Sequence, residues 1–164
     1  MENTTTLVKA IASSLIAARE TLSTAESCSG GVLASSITSQ SGASAYFEGG
    51  VVAYSYAIKT SFLGVSRSDL LTYGAVCETV AVQMAEGIRR RCGSTYGLAT
   101  TGIAGPEGGS PDKPVGTVWI AVATPDGTYT ECLHLDGSRR DIMGLTVNHV
   151  LDRLYKLISE DKSC

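Results

Sequence analysis

Ser27 is the first residue whose surroundings suggest chemistry, because it lies in the run TAESCSGG at residues 24–31. The pattern predicts a strand that ends near Ala25 and a helix that begins at Gly30 or Gly31. The free N–H groups and positive dipole end of such a helix suit an anion or the oxyanion of acyl transfer. Ser27 is therefore a candidate nucleophile. On this feature alone, an N-cap serine is the simpler interpretation.

A serine nucleophile needs a base, and the chain offers two kinds. Lys59 follows a predicted strand that contains Tyr54, and burial can lower the pKa of a lysine until it acts as a base. Taken alone, Lys59 is also explained as a solvated surface lysine. His134 and His149 fall in a predicted strand and helix, which favours structural or surface roles for both. A base role for His134 stays as an alternative.

A second candidate region is the segment 102–116, which contains five glycines and three prolines. Successive glycine amides can form an anion-binding nest, to which Lys113 would add positive charge. Long loops of this kind are more often functional than idle, although the Gly-Lys-Ser/Thr sequence of a P-loop is missing. Arg139 and Arg140, at the start of the last predicted helix, suit either a phosphate or a solvated face.

Helical and strand patterns alternate along the chain. Hydrophobic spacing predicts helices at about 5–20 and 79–91 and from Ser138 onward, with a short turn or helix at 58–63. Strands are predicted at 22–25, 49–56 and 96–103 and as a hairpin at 117–123 and 129–135. We therefore expect one α/β domain over residues 1–164, a three-layer α/β/α sandwich around a mixed, mostly parallel sheet. Residues 26–31 and 102–116 then follow strand ends, where sites gather in open sheets.

Composition excludes several classes of function. The formal net charge is −3 over 164 residues, which argues against a nucleic-acid partner. No run approaches the roughly 20 apolar residues of a membrane span, and the N-terminus lacks the pattern of a signal peptide. We therefore expect a cytoplasmic protein without membrane contact. The five cysteines show no Cys-x-x-Cys spacing, so we expect free buried thiols at Cys77, Cys92 and Cys132 rather than disulfides or a metal site.

Several separate motifs together resemble one known family. The order of these motifs resembles the C-terminal domain of the competence/damage-inducible protein CinA, whose stand-alone form is the nicotinamide-nucleotide amidase. The resemblance spans about residues 7–157. It is carried by TAESCSGG at 24–31, GGVVAYS at 49–55 with Lys59, TGIAGP at 101–106, KPVGTV at 113–118, and a weaker match at 137–139.

The resemblance implies an activity. It implies hydrolysis of the carboxamide of nicotinamide mononucleotide to nicotinic acid mononucleotide and ammonia, in pyridine-nucleotide salvage. It implies Ser27 as nucleophile, Lys59 as base and Tyr54 as an assisting phenol. It also implies no metal, no cofactor, a small-molecule nucleotide as the partner, and a homo-oligomer.

From this mechanism we expect the substrate-binding residues to lie in the two loops. We expect the oxyanion to be held by backbone amides of Ser29, Gly30 and Gly31, or by those of Thr101 and Gly102. The phosphate would lie on the glycine-rich loop, with contributions from Gly105 and Lys113.

Two positions depart from the family pattern. Ser29 stands where threonine is more frequent, which preserves a hydroxyl. Ser138 stands where aspartate usually precedes the arginine, so no role is assigned to Arg139 at this stage.

Cys28 is interpreted as a small packing residue. The larger domain that precedes this one in CinA is not in the sequence, which favours the stand-alone enzyme. The alternative is a catalytically inactive module that binds nucleotides for regulation.

Overall fold

A computed structural model describes residues 3–161, with six helices and a five-stranded sheet in that range. The strands are β1 Leu22–Glu26, β2 Phe47–Val52, β3 Tyr96–Gly102, β4 Thr117–Ala123 and β5 Thr128–His134. The helices are α1 Thr4–Ala18, α2 Val32–Thr38, α3 Tyr56–Leu63, α4 Arg67–Tyr73, α5 Glu78–Cys92 and α6 Arg139–Asp161.

The sheet is mixed, with strand order β2-β1-β3-β4-β5. β1 pairs in parallel with β2 and β3, whereas β4 pairs antiparallel with both β3 and β5. Four strands therefore run in one direction and β4 runs against them, as expected for a mostly parallel sheet. The predicted β4–β5 hairpin is confirmed. The carboxyl ends of β1 and β3 lie side by side, which brings the loops after Glu26 and Gly102 together.

Two apolar cores cover the two faces of the sheet, which confirms the predicted α/β fold. Helices α1, α2 and α6 pack on one face, where the core includes Leu7, Leu33 and Leu154. Helices α3, α4 and α5 pack on the other face, where it includes Leu63 and Met84. Side chains alternate between the two faces along a strand, so β1, β3 and β4 each contribute buried residues to both cores.

Small residues bring the helices of the second face close to the sheet and to one another. A Cβ at Gly97 on β3 would collide with the backbone oxygen of Ala85 on α5. A Cβ at Gly87 on α5 would collide with the backbone oxygen of Leu63 on α3. Because α3 lies this close to α5, its inward-facing Lys59 is buried rather than solvated.

Local boundaries differ from the sequence expectation at two places. β2 spans Phe47–Val52 rather than 49–56, because Ser55 caps a helix and its Oγ accepts a hydrogen bond from Ile58 N at 3.2 Å. Helix α4 lies in a segment expected to be a link. Its seven residues are too few for a clear hydrophobic period, and its start is marked by the Ser66 cap.

The described cysteines are free thiols, namely Cys28, Cys77, Cys92 and Cys132. The last three are partly exposed rather than buried, because they lie at element ends or on an edge strand, and Cys164 lies outside the described residues. Within residues 3–161, no helix combines the length and apolar character needed to cross a bilayer.

Candidate active site

A cavity of about 250 Å³ opens where the loops after β1 and β3 meet. Ser27 is fastened at its edge, because its amide donates to the carbonyl oxygen of Thr100 on β3 at 2.9 Å. The lining is contributed by the two loops, by Tyr54 and by the first residue of α6. Its members are Ser27, Cys28, Tyr54, Gly102, Ile103, Ala104, Gly105, Glu107, Gly108 and Arg139.

Lys59 extends from α3 to the nucleophile candidate. Its Nζ lies 3.0 Å from Ser27 Oγ, and it donates to the carbonyl oxygens of Ala53 at 2.6 Å and Tyr54 at 3.3 Å. Carbonyl oxygens can only accept hydrogen bonds. A neutral lysine amine has two N–H groups and one lone pair, so two carbonyl partners leave the lone pair facing Ser27 Oγ.

The environment of Lys59 makes that neutral form more accessible than it is in a solvated lysine. Its side chain is 1% exposed, and none of the ion pairs in the described part of the chain includes it. Burial lowers the pKa of Lys59 from its ordinary 10.5 to about 8, because an ammonium group loses its hydration in an apolar interior. About one molecule in ten therefore carries a neutral Lys59 at pH 7.

Glu26 is a central residue of the site to which the sequence analysis assigned no role. Its carboxylate is 1% exposed and accepts from Ser29 Oγ at 2.7 Å and from three amides at the start of α2. These amides are those of Gly31 at 3.0 Å, Leu33 at 3.0 Å and Ala34 at 2.8 Å. Glu26 therefore caps α2, and Ser27 is not its N-cap. The acidic residue before the Gly-Gly pair was the available clue, but its spacing is outside the usual capping box.

The Glu26 contacts decide which amides remain free near Ser27. The Gly31 amide is occupied by Glu26, and the Gly30 amide donates to Ser27 O at 3.2 Å. Among the hydrogen bonds of residues 3–161, none uses the amide of Ser29 as donor. Of the expected oxyanion donors in this loop, the Ser29 amide is thus free, whereas those of Gly30 and Gly31 are not. The Ser29 hydroxyl is buried against Glu26 and Thr100.

Glycine is required in the turn between Ser27 and α2. Gly30 and Gly31 have φ values of +59° and +98°, and other residues rarely adopt the left-handed region. A Cβ at Gly30 would also lie 3.4 Å from Met143 Cε on α6. The Gly-Gly pair therefore lets the chain reverse direction immediately after Ser27.

Tyr54 lines the cavity, where its side chain contacts Arg139. Its phenol hydroxyl accepts a hydrogen bond from Arg139 Nη2 at 3.1 Å, and its side chain is largely exposed. Its contact with Lys59 is made by its backbone oxygen. The structure therefore links the hydroxyl of Tyr54 to Arg139 and its backbone oxygen to Lys59.

The predicted residues of the second loop are divided between the cavity and its surroundings. Gly102 and Gly105 line the cavity. The hydroxyl of Thr101 donates to Ala75 O at 2.8 Å, outside the lining. Lys113 Nζ donates to Tyr73 O at 2.8 Å, at the end of α4. Lys113 is therefore not among the cavity residues, and Arg139 is the basic side chain there.

Cys28 and the histidines are unsuited to replace the Ser27–Lys59 pair. Cys28 is buried, and burial raises the pKa of its thiol to about 12, so the nucleophilic thiolate is suppressed. This agrees with its interpretation as a packing residue. Neither His134 nor His149 belongs to the cavity lining.

Comparison with known proteins identifies relatives over nearly the whole chain. The model of the CinA C-terminal domain family matches residues 4–158. A CinA-like protein of Amoebophilus asiaticus is 45% identical over 154 residues, which are 94% of this chain and 37% of that protein. A CinA-like protein of Acaryochloris marina is 48% identical over 146 residues, 88% of this chain and 35% of that protein. The chain thus spans about a third of the length of these relatives.

Solved structures share the fold over their full length. Competence damage-inducible protein A from Klebsiella pneumoniae superposes with a TM-score of 0.93 at 34% identity, covering 96% of this chain and 98% of that one. The competence/damage-inducible protein CihA from Agrobacterium tumefaciens gives a TM-score of 0.92 at 36% identity, with 96% of each chain covered.

Proposed function

Because the chain belongs to the family of CinA C-terminal domains, we propose that it is an amidohydrolase with a serine nucleophile and a lysine base. The substrate proposed is nicotinamide mononucleotide, which the resemblance of the motifs implies, and the products are nicotinic acid mononucleotide and ammonia. A cytoplasmic homo-oligomer without metal or cofactor belongs to the same proposal.

The contact between Ser27 Oγ and Lys59 Nζ carries the proposal. The 3.0 Å separation allows direct proton transfer. The two carbonyl oxygens on Lys59 orient its amine, and burial lowers its pKa to about 8. Lys59 is only 1% exposed, has no acidic partner among the described residues and lies beside a serine at a cavity. A lysine with a purely structural role is rarely found in such a position.

The first half of the reaction forms an acyl-enzyme. Neutral Lys59 accepts the proton of the Ser27 hydroxyl, and Oγ attacks the carboxamide carbon of the substrate. The electrons of the carbonyl π bond move to the oxygen, and the free amide of Ser29 is suited to stabilise the resulting oxyanion. When the C–N bond breaks, the Lys59 ammonium returns the proton to the nitrogen, and ammonia leaves.

The second half regenerates the enzyme by the same groups. Lys59, neutral again, accepts a proton from a water molecule that attacks the ester carbon. The bond to Ser27 Oγ breaks, and the proton on Lys59 goes to that oxygen. The carboxylic acid product then ionises and leaves. Tyr54 contributes its backbone oxygen to the orientation of Lys59.

Ammonia release tests the proposal directly. Purified protein is incubated with nicotinamide mononucleotide, and Ser27→Ala serves as the matched variant, since it removes one oxygen from a buried turn. We expect release by wild type and a loss of roughly 10⁴-fold or more in kcat in the variant. Equal rates in both proteins would contradict the nucleophile assignment.

If wild type shows no turnover, binding of the mononucleotide decides between two interpretations. If folded wild type releases no ammonia but binds the mononucleotide, the domain is a nucleotide-binding regulatory module. If it neither binds nor hydrolyses the mononucleotide, the proposed substrate is wrong.

A further inference from the structure

Arg139 connects three walls of the cavity through one guanidinium group. Its Nη1 donates to the carbonyl oxygen of Gly105 at 2.8 Å, and its Nη2 donates to the hydroxyl of Tyr54 at 3.1 Å. Arg139 itself is the first residue of α6. The side chain therefore spans from α6 to the glycine-rich loop and to the segment between β2 and α3.

Among residues 3–161, no carboxylate forms an ion pair with Arg139. Both of its acceptors are neutral oxygens. Glu107 is the other charged residue of the lining, and it too forms none of these ion pairs. A guanidinium has five N–H donors in a fixed fork that matches phosphate and carboxylate oxygens. Two of its nitrogens are used here, so donors remain for a ligand in the cavity.

Backbone donors lie beside this charge. In the part of the chain that the structure describes, no hydrogen bond uses the amides of Ala104, Gly105, Glu107 or Gly108 as donors. These residues line the cavity together with Arg139. Successive free amides in a glycine-rich turn attract anions, so the loop and the guanidinium favour the same kind of ligand.

The start of α6 is built to hold Arg139 in place. The amide and hydroxyl of Ser138 donate to Asp141 Oδ2 at 2.9 and 2.6 Å, and the Asp141 amide donates to Ser138 Oγ at 3.3 Å. This is a reciprocal capping arrangement. The hydrogen bonds from Ser138 lower the pKa of Asp141, so the cap stays intact at neutral pH. Ser138, which departs from the family pattern, thus still fixes the residue that follows it.

We propose that Arg139, together with the free amides of the 104–108 loop, binds the anionic phosphate of the substrate. Arg139 thereby makes the site prefer a phosphorylated nucleotide to the corresponding nucleoside. The assignment rests on the proposed amidase function. It replaces Lys113, whose ammonium is engaged with Tyr73 O outside the cavity lining, as the cation that recognises phosphate.

The test compares two substrates that differ by one phosphate, nicotinamide mononucleotide and nicotinamide riboside. For Arg139→Gln, we expect kcat/KM for the mononucleotide to fall about 30- to 100-fold, mostly through KM, as for loss of a charged hydrogen bond. The riboside value should stay within about threefold. Arg140→Gln, which removes the neighbouring exposed charge, is the matched control and should leave both values within about twofold.

Two further variants separate recognition from positioning. Arg139→Lys keeps the charge without the planar fork, and we expect it to retain part of the preference for the mononucleotide. Tyr54→Phe removes the hydroxyl that Arg139 contacts, and the ratio of the two kcat/KM values should persist. If Arg139→Gln lowers both substrates equally, Arg139 only positions Tyr54 and the proposal is overturned.

The proposed phosphate site can be tested even if the protein is not an amidase. If wild type hydrolyses neither compound, calorimetric binding of the mononucleotide to wild type and Arg139→Gln replaces kinetics. At least tenfold weaker binding by the variant, with weaker competition by inorganic phosphate, supports the anion site. Equal affinity, or no binding by wild type, overturns it.

Discussion

The two loops that form the cavity are built in opposite ways. Residues 27–29 are buried, and the turn that follows is fastened to the Glu26 carboxylate. Residues 106–112 of the glycine-rich loop are exposed, and several amides of this loop donate to no described group. The first loop is held in place by buried hydrogen bonds, whereas the second is exposed and has several amides that donate to no described group.

This difference matches two different tasks. A nucleophile and its base must be held within a few tenths of an ångström and kept from water, because proton transfer and attack depend steeply on geometry. A recognition surface instead needs unoccupied donors that a ligand can fill. We therefore propose that the first loop carries out bond breaking and the second selects the ligand.

The largest expected effect is the loss of turnover in Lys59→Met. The substitution removes the base while preserving an unbranched apolar stem, so kcat should fall about 10³-fold or more. The fold should persist, since an unpaired buried ammonium costs stability. Lys9→Met is the control, because Lys9 is exposed on α1. Steady-state kinetics and thermal unfolding check both parts, and a variant within a few-fold of wild type would remove Lys59 from the mechanism.

Glu26→Gln should weaken the first loop as a whole. An amide group cannot replace a carboxylate that accepts from one hydroxyl and three backbone amides. We expect the free energy of unfolding to fall by about 2 to 3 kcal/mol and kcat by about 10- to 100-fold through displacement of Ser27. Urea unfolding and kinetics measure these changes. The exposed Glu48 on β2 provides the control Glu48→Gln, and equal behaviour of the two variants would contradict the role given to Glu26.

The pH dependence of wild type should follow the ionisation of Lys59. Only the neutral amine accepts the Ser27 proton, and its pKa is lowered to about 8. Thus kcat/KM should rise about tenfold per pH unit below pH 8 and level off above it. Measurements from about pH 6.5 to 9.5 cover this change while avoiding most of the ionisation of a substrate phosphate, whose pKa is about 6. Activity that is level throughout this range would exclude a titrating base.

The smallest effect is expected for Lys113→Met in the second loop. Lys113 donates to Tyr73 O and is not part of the cavity lining. The substitution should change KM for the mononucleotide by less than about threefold. A tenfold rise in KM would instead indicate that Lys113 binds the phosphate. It would contradict the proposal that Arg139 is the cation that recognises this group.

Much of the fold could be predicted from the sequence, because local patterns report local structure. The repeat of Val80, Met84 and Ile88 located α5, and Pro125-Asp126-Gly127 located the β4–β5 turn. Glu86 and Arg90, four residues apart on α5, form an ion pair at 3.6 Å, as this spacing on a helix allows. The short α4 and the end of β2 could not be placed, since few residues define them and their caps compete with strand propensity.

The sequence by itself determined which residues could take part in the site. A Gly-Gly pair, a serine after one predicted strand and a glycine-rich loop after another are properties of residue type and order. Parallel strands place their carboxyl ends at one sheet edge, so the approach of the two loops followed from the topology. Family motifs added Lys59 and Tyr54 as partners of Ser27.

Only the tertiary structure decided the surroundings of these side chains. The pKa of Lys59 depends on its burial and on the carbonyl oxygens around it. The free or occupied state of each amide near Ser27 depends on where the Glu26 carboxylate points. The position of Arg139 depends on a contact with Tyr54 across 85 residues of sequence. The ionisation of a side chain, its hydration and the occupancy of a backbone amide all depend on groups from distant segments of the chain. Residue spacing within one segment therefore does not determine them.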